Sequence, residues 1–402
     1  VDQEYDYIIA GAGAAGLSLA WGMLQSPLAD KNVLIVDADL TPKNDKTWCF
    51  WHAGIPPFSD VIHKRWSTVE VRTPEEHFSQ RVDEYLYYGL RSIDFQQKVL
   101  QALKAHDRFD LLENAVTDIT VHPSEQSAIL HTPDQVFQAS YIFQSCFKPS
   151  GLEEADIRYP LKQHFMGWEL TANREVFDPS ACVLMDFDET FTEGVAFMYL
   201  LPWDATSGLL EYTVFSDRLL RSEAYQEKIA LYLHNRFGLQ RTDYLVSREE
   251  RGVIPMQDRP FIPWYNSRSM NIGTRGGLTK PSTGYTFIRI QDQVRNIIEG
   301  LLSEGIPHVS PPSKLRFRAY DLWLLHILHT EPREALDIFY HLFRNNAMDD
   351  IFRFLNEDST LAEDLKIMSS VPYRPFFRAI WKSRRRLREL QLAYTPSDRF
   401  PR

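Results

Sequence analysis

The sequence predicts an α/β fold with three parts: a dinucleotide-binding domain, an antiparallel-sheet substrate domain and a helical C-terminal region. Three observations carry this prediction. A glycine-rich turn joins an apolar strand to a helix at the N-terminus. Between Gln163 and Met256, short segments alternate apolar and polar residues as half-buried strands do. From Arg318 onward the apolar spacing is helical almost to the end.

Size and composition set the bounds. The chain has 402 residues, 44% of them hydrophobic, enough for a large core and two or three structural units. A net charge of -10 argues against nucleic acid as a partner, which would need a basic face. Cys49, Cys146 and Cys182 are widely spaced, so neither a disulfide framework nor a cysteine zinc site is expected, and a reducing cytoplasmic setting suits them. No basic leader with a cleavage site is apparent, and no apolar run approaches about 18 residues, so neither a signal peptide nor a spanning helix is expected.

The elements follow in order. Residues 6–10 form an apolar strand, 17–24 a helix and 33–36 a second, fully apolar strand. Between the first two lies Gly11-Ala12-Gly13-Ala14-Ala15-Gly16. In such a turn the first glycine allows the bend, the second lets backbone approach a pyrophosphate, and the third allows close helix–strand packing. The helix N-terminus then offers free N–H groups to the phosphates. Asp37 closes the second strand, where an acidic side chain can accept ribose hydroxyl hydrogen bonds. Gly11, Ala12, Gly13, Ala15, Gly16, Asp37 and Ala38 are therefore the expected first half of a Rossmann-type cofactor site.

A helix over 92–105 and short strands near 109–112, 116–121, 128–131 and 141–143 complete this first part. Pro149-Ser150-Gly151 is the expected crossing into the second. There the predicted strands are 164–171, 182–187, 195–201 and 209–215, with a hairpin loop at 205–208 and a helix over 224–237. A strand at 270–273 then leads through Gly273, Gly276 and Gly277 to Lys280-Pro281-Ser282-Thr283-Gly284-Tyr285 and a helix to 302. Two glycine turns, far apart and both opening helices, suit an extended cofactor held between them and favour FAD over NAD. Gly276, Gly277, Thr283 and Gly284 are its expected second contacts. The expected divisions are 1–150 and 257–310 for cofactor, 151–256 for substrate and 311–402 for the helical region.

Several segments resemble a known family. Asn44-Asp45-Lys46-Thr47-Trp48-Cys49-Phe50-Trp51 resembles the NDxTWCFW signature of bacterial lycopene cyclases, and residues 280–287 resemble their KPSTGY segment. Pro202 with Leu210-Glu211-Tyr212-Thr213, the run Glu250-Arg251-Gly252-Val253-Ile254-Pro255-Met256, and Phe354-Leu355 with residues 372–376 are similar to further family segments. The resemblance spans nearly the whole chain in order. It implies a fold like the p-hydroxybenzoate hydroxylase and geranylgeranyl reductase flavoproteins. It also implies lycopene and other linear carotenoids as substrates, β-ionone rings as products and reduced FAD as cofactor, with NAD(P)H the expected electron donor. Many flavoproteins of this fold carry Gly-Asp at the second glycine turn; here Gly273-Thr274 stands instead, so no carboxylate contact to the cofactor is expected there.

Such a cyclisation adds a proton to an alkene, closes a ring on the cation and loses a proton, so it needs an acid and a dry, cation-stabilising pocket. Glu211 is the candidate acid: on its predicted strand it shares a face with Thr213 and Phe215. Pattern alone favours a solvated glutamate on an outer face; the resemblance of its segment to the family favours the acid. Trp48, Phe50 and Trp51 are candidates for the substrate wall, although aromatic clusters are commonly core. Lys46 and Arg275 could touch flavin or phosphate, or simply be loop cations. His326 and His329 fit a helix surface better than a metal site, and no metal is expected. Residues 374–388 carry Arg374, Arg378, Lys382, Arg384, Arg385, Arg386 and Arg388 among Phe376, Phe377, Ile380 and Trp381. This composition suits docking on an anionic membrane surface and a peripheral place on the cytoplasmic membrane.

Overall fold

A computed structural model describes residues 3–147, 157–188 and 190–392 of the chain. The predicted crossing at Pro149-Ser150-Gly151 lies outside the described residues. Strand Gln3–Ala10 is the centre of an eight-stranded sheet, parallel to Val33–Asp37 on one side and Val136–Gln144 on the other. Phe109–Glu113 continues it in parallel beyond Val33–Asp37, and Ser269–Asn271 returns to pair with Val136–Gln144. The helices Ala14–Leu24 and Phe287–Ser303, one after each glycine turn, pack together. A Cβ at Gly22 would lie 2.6 Å from Ile298 and 2.8 Å from Val294, so the glycine sets their close approach.

The second sheet has seven strands, in the order Tyr244–Gln257, Pro160–Ala172, Ser207–Ser216, Val195–Pro202, Ala181–Phe187, Thr68–Arg72 and His77–Arg81. All pairs are antiparallel except Ala181–Phe187 with Thr68–Arg72. Two strands that precede residue 150 thus belong to this sheet. Pro255 sits in the edge strand, where its missing N–H costs no ladder bond. Helix Ser222–Phe237 packs over one face through Tyr225, Ile229 and Leu233. The other face receives C-terminal helices, with Phe187 stacked on Phe339 at 5.5 Å. The two central strands are consequently buried on both faces, so residues 209–215 have no solvated outer face. A third sheet of Thr47–Ala53, Tyr85–Arg91 and Lys64–Trp66 bears on both cores.

The C-terminal region is helical as expected: Leu315–Thr330, Pro332–Asn345, Met348–Leu355, Leu361–Ser369 and Tyr373–Leu392. At the first glycine turn, a Cβ on Gly16 would overlap the carbonyl oxygen of Gly11, and backbone cannot step aside. Gly16→Ala is therefore expected to lower stability by about 1–3 kcal/mol, read as a drop in thermal unfolding temperature.

Candidate active site

The catalytic candidate sits where sheet register places it. Glu211 pairs with Gly167 of the neighbouring strand, and Gly167 pairs on its other side with Glu250. Tyr199 faces Glu211 from the opposite neighbour. Cross-strand partners share a face, so Glu250, Gly167, Glu211 and Tyr199 form one row across the sheet. The row fits only because its second member lacks a side chain: a Cβ on Gly167 would stand 2.6 Å from Glu211 Cγ.

The two glutamates differ in their partners. Glu250 Oε1 accepts from Thr47 N–H at 2.7 Å, and its Oε2 accepts from Thr47 Oγ1 at 2.9 Å and Arg248 Nη1 at 2.8 Å. Glu211 is 7% exposed and forms no hydrogen bond among the described residues. Burial first, and then the negative charge of Glu250, push its carboxyl well above the ordinary carboxylate range, against the opposing pull of Arg248 and Lys46. Both effects favour the protonated form of Glu211. Around it, the Tyr87 hydroxyl meets those of Tyr199 and Tyr285, both at 2.7 Å, and Cys49 reaches Tyr199. Burial raises the pKa of all four groups, so they too stay uncharged.

These residues line a cavity of about 450 Å³. One end reaches Ala14 and Thr274 at the two glycine turns; the other reaches Ile367, Val371 and Phe376 of the C-terminal helices. Trp51 lines it, stacked on Phe352 at 4.6 Å and donating Nε1–H to the Phe352 carbonyl at 3.2 Å. Trp48 also lines it, stacked on Phe287. Phe50 does not line this cavity; it points to the core of the first sheet, between Phe287 and Tyr88. Strand alternation separates it from Trp51.

The residues at the glycine turns fit a dinucleotide. Nothing lies within 4 Å of a Cβ built on Gly13, which leaves open space at the start of a helix that has no side-chain cap. Gly11 takes φ +107°, a backbone region that favours glycine, and Ala15 is buried behind the turn. Ala12 N–H donates to Asp37 Oδ2 at 2.6 Å, so Asp37 stands beside the turn, and Ala38 beyond it is exposed. On the cavity side, Gln163 Oε1 is a buried acceptor without a partner among the described residues. An extended cofactor reaching from Gly13 into the cavity would meet these features.

Of the second turn, Thr283 and Gly284 line the cavity, whereas Gly276 and Gly277 do not. Gly276 backs onto Asn271, and Gly277 borders a separate small pocket beside Phe261. Gly284 takes φ +75° and lies against Gln163. Lys280 and Ser282 anchor the segment to the C-terminal helices: Lys280 Nζ reaches Asp321 at 3.0 Å and Glu357 at 2.8 Å, and Ser282 Oγ donates to Asp321 at 2.6 Å.

Lys46 lines the cavity and donates to the Arg251 carbonyl at 2.9 Å, while Arg275 does not line it. His326 contacts Tyr159 Oη at 3.0 Å, with His329 on the same ring. Among the described residues no group of three or more His, Cys, Asp and Glu side chains could hold a metal ion. Sequence reasoning missed Tyr87, Tyr199, Tyr285 and Gln163, and passed over Glu250 as part of a segment. Glu250 could have been found from its two flanking arginines, Arg248 and Arg251, in a strand that leads to a proline; the tyrosines carry no comparable local signal.

No helix of the described residues is long and apolar enough to cross a membrane. The C-terminal helix exposes Tyr373, Phe377, Ile380 and Trp381, and the helix before it exposes Leu361 and Leu365. Their inner sides, through Phe376 and Ile367, line the cavity. Arg386 is buried on Asp258 at 2.6 Å and Arg378 pairs with Glu331 at 2.6 Å, so these two cations serve the fold.

The arrangement is that of a flavoprotein-type fold closing a largely apolar cavity over the buried carboxyl group of Glu211. A structure of a geranylgeranyl bacteriochlorophyll reductase-like protein from Thermoplasma acidophilum matches with a TM-score of 0.59 at 11% identity, covering 95% of this chain and 99% of that one. A flavoprotein/dehydrogenase from Cytophaga hutchinsonii matches with a TM-score of 0.59 at 12% identity, covering 98% and 100%. The chain belongs to the lycopene cyclase family: the family model described as lycopene cyclase protein matches residues 6–381. The chain is 26% identical over 300 residues to a lycopene beta-cyclase of Pseudescherichia vulneris, covering 70% of each. It is 23% identical over 394 residues to that of Pantoea ananas, covering 94% of this chain and 97% of the relative.

The raised pKa of Glu211 has a consequence for stability. Between the unfolded and folded pKa values the native state holds a proton that the unfolded chain has lost, so stability falls as pH rises. Glu211→Gln removes this penalty. Its unfolding temperature is expected to gain on the parent protein as pH rises from about 5 to about 8. A constant difference across that range would contradict a neutral Glu211.

Proposed function

We propose that the protein is a lycopene β-cyclase that uses FAD without net redox change. The observation that carries this reading is the neutral, buried Glu211 at the wall of an apolar cavity, in a chain of this family. Protonated Glu211 delivers its proton to the terminal alkene of lycopene. The neighbouring double bond attacks the resulting tertiary cation, the six-membered ring closes, and the proton lost to form the ring alkene is taken up by the carboxylate that Glu211 has become, which restores the acid. Tyr285, Trp51 and Trp48 present aromatic surface to the cavity, and such faces stabilise cations through their quadrupole. The apolar walls exclude water, which would otherwise trap the cation as an alcohol.

Gly11, Gly13, Gly16 and Asp37 would hold the nucleotide half of FAD, with Thr283 and Gly284 at the cavity end. Reduced FAD, when bound, would supply negative charge in a poorly screened site, where it stabilises a cation. NAD(P)H as the electron donor belongs to this reading. Glu211→Gln is expected to retain FAD, read from flavin absorbance after gel filtration, while cyclisation falls about 10²- to 10⁴-fold. In lycopene-accumulating cells the parent chain should yield a ring-bearing pigment of unchanged mass. A gain of oxygen or hydrogen would instead identify a redox flavoenzyme of the same fold, a monooxygenase or a polyprenyl reductase.

The reading includes a peripheral place on the cytoplasmic membrane, where a long hydrocarbon substrate resides. Exposed Tyr373, Phe377 and Trp381 with Arg374, Lys382 and Arg388 around them support it, because such a face gains from both apolar burial and anionic headgroups. Phe377→Ser with Trp381→Ser should reduce flotation with anionic liposomes severalfold while leaving thermal stability near the parent value. Undiminished flotation would remove this helix from the docking surface.

A further inference from the structure

We propose that Glu250 is a positioning residue for Glu211, and that Gly167 is the residue that makes their pairing possible. The inference rests on the acid role of Glu211 proposed above and adds to it the source of its protonation state.

The geometry is a property of register. Gly167 is the direct partner of both glutamates, so the two side chains leave the same face on either side of a residue that has no side chain. One row along, Phe165 is paired with Gly252, where a Cβ would overlap the Phe165 ring. Large and small residues thus alternate, and each glycine opens the space used by its neighbour. Glu250, 2% exposed, is held by Thr47 and Arg248 with both oxygens engaged. Arg248 is itself fixed by Glu169 at 2.6 Å and by Thr47 Oγ1 at 3.0 Å. The carboxylate of Glu250 therefore cannot swing away, and its charge stays beside Glu211 in a region that water screens poorly.

The groups that face Glu211 come from every surrounding element. Lys46 and Cys49 lie on the Thr47–Ala53 side, Tyr87 and Tyr199 on two further strands, and Arg248 and Glu250 on the edge strand. Tyr285 stands on the KPSTGY loop, with Lys280 and Asp321 paired to each other further along the wall. Arg248 and Lys46 oppose the effect of Glu250, but Arg248 is spent on Glu169 and Glu250, and Lys46 is directed to the carbonyls of Asp45 and Arg251. Of the charged groups that act on Glu211, Glu250 is the one that favours its neutral form. Its signature therefore differs from that of a residue that merely braces the fold: it alters the pH at which the acid is lost.

The test compares the FAD-loaded parent chain with Glu250→Gln, using lycopene in liposomes across the pH range. The alkaline limb of turnover is expected to move to lower pH by about one unit or more. In parallel, the infrared band of the protonated Glu211 carboxyl, identified by its absence in Glu211→Gln, should titrate at correspondingly lower pH. Turnover that falls equally at every pH, or an unmoved limb and band, would overturn the proposal. Failure of the underlying reading shows separately, as normal turnover by Glu211→Gln. Should Glu250→Gln lose FAD, Gly167→Ala keeps Glu250 and its hydrogen bonds while crowding Glu211. At least tenfold lower turnover with a shifted band supports the proposal, and parental turnover with a parental band overturns it.

Discussion

A carboxyl group buried with no hydrogen-bond partner among the described residues is the constraint around which this protein is arranged. An isolated buried carboxylate costs several kcal/mol, so the group stays neutral instead. Maintaining that state requires a strand covered on both faces, an apolar cavity around it and no nearby donor strong enough to ionise it. Helix Ser222–Phe237 on one face of the sheet and the C-terminal helices on the other meet the first requirement. Phe197, Phe215 and Phe165 line the cavity and meet the second. Arg248 is occupied by Glu169 and Glu250, which serves the third.

The same cavity explains why three sheets are needed. The eight-stranded sheet carries both glycine turns, the seven-stranded sheet carries the acid, and the three-stranded sheet contributes Thr47, Cys49, Trp51 and Tyr87 between them. Thr47 links two of these sheets, donating backbone and side-chain hydrogen bonds to Glu250. The KPSTGY segment performs a similar junction on the opposite side. Lys280 and Ser282 fasten it to Asp321 on a C-terminal helix, which leaves Thr283, Gly284 and Tyr285 to face the cavity.

Much of the fold was legible where the signal is local. The N-terminal strand–turn–helix–strand followed from glycine spacing and a continuous apolar run, and four central strands of the second sheet fell within a few residues of expectation. Strand Thr47–Ala53 carried no readable period because its aromatic residues face two different cores, so both faces are apolar. Phe50 was grouped with Trp48 and Trp51 by sequence proximity, but strand alternation turns it into the core of the first sheet. Gly276 and Gly277, expected as cofactor contacts, pack within the turn, while Thr274, Thr283 and Gly284 around them line the cavity. Glu211 was ambiguous because alternation within one strand cannot say whether its second face meets water or another layer.

The sequence by itself determined the class of fold and the first glycine turn with Asp37, because both depend on residues close together in the chain, whose spacing is read directly. Glu211 came forward as the candidate acid through the resemblance of its segment to the family, not through spacing. Only the tertiary structure decided that Glu211 lies in surroundings that favour its protonated form, and that Glu250 shares its face. It also brought Tyr87, Tyr199 and Tyr285, far apart in sequence, together in one hydroxyl cluster. The reason is physical: a protonation state depends on burial and on charges across neighbouring strands, and register sets both through partners that no local pattern encodes.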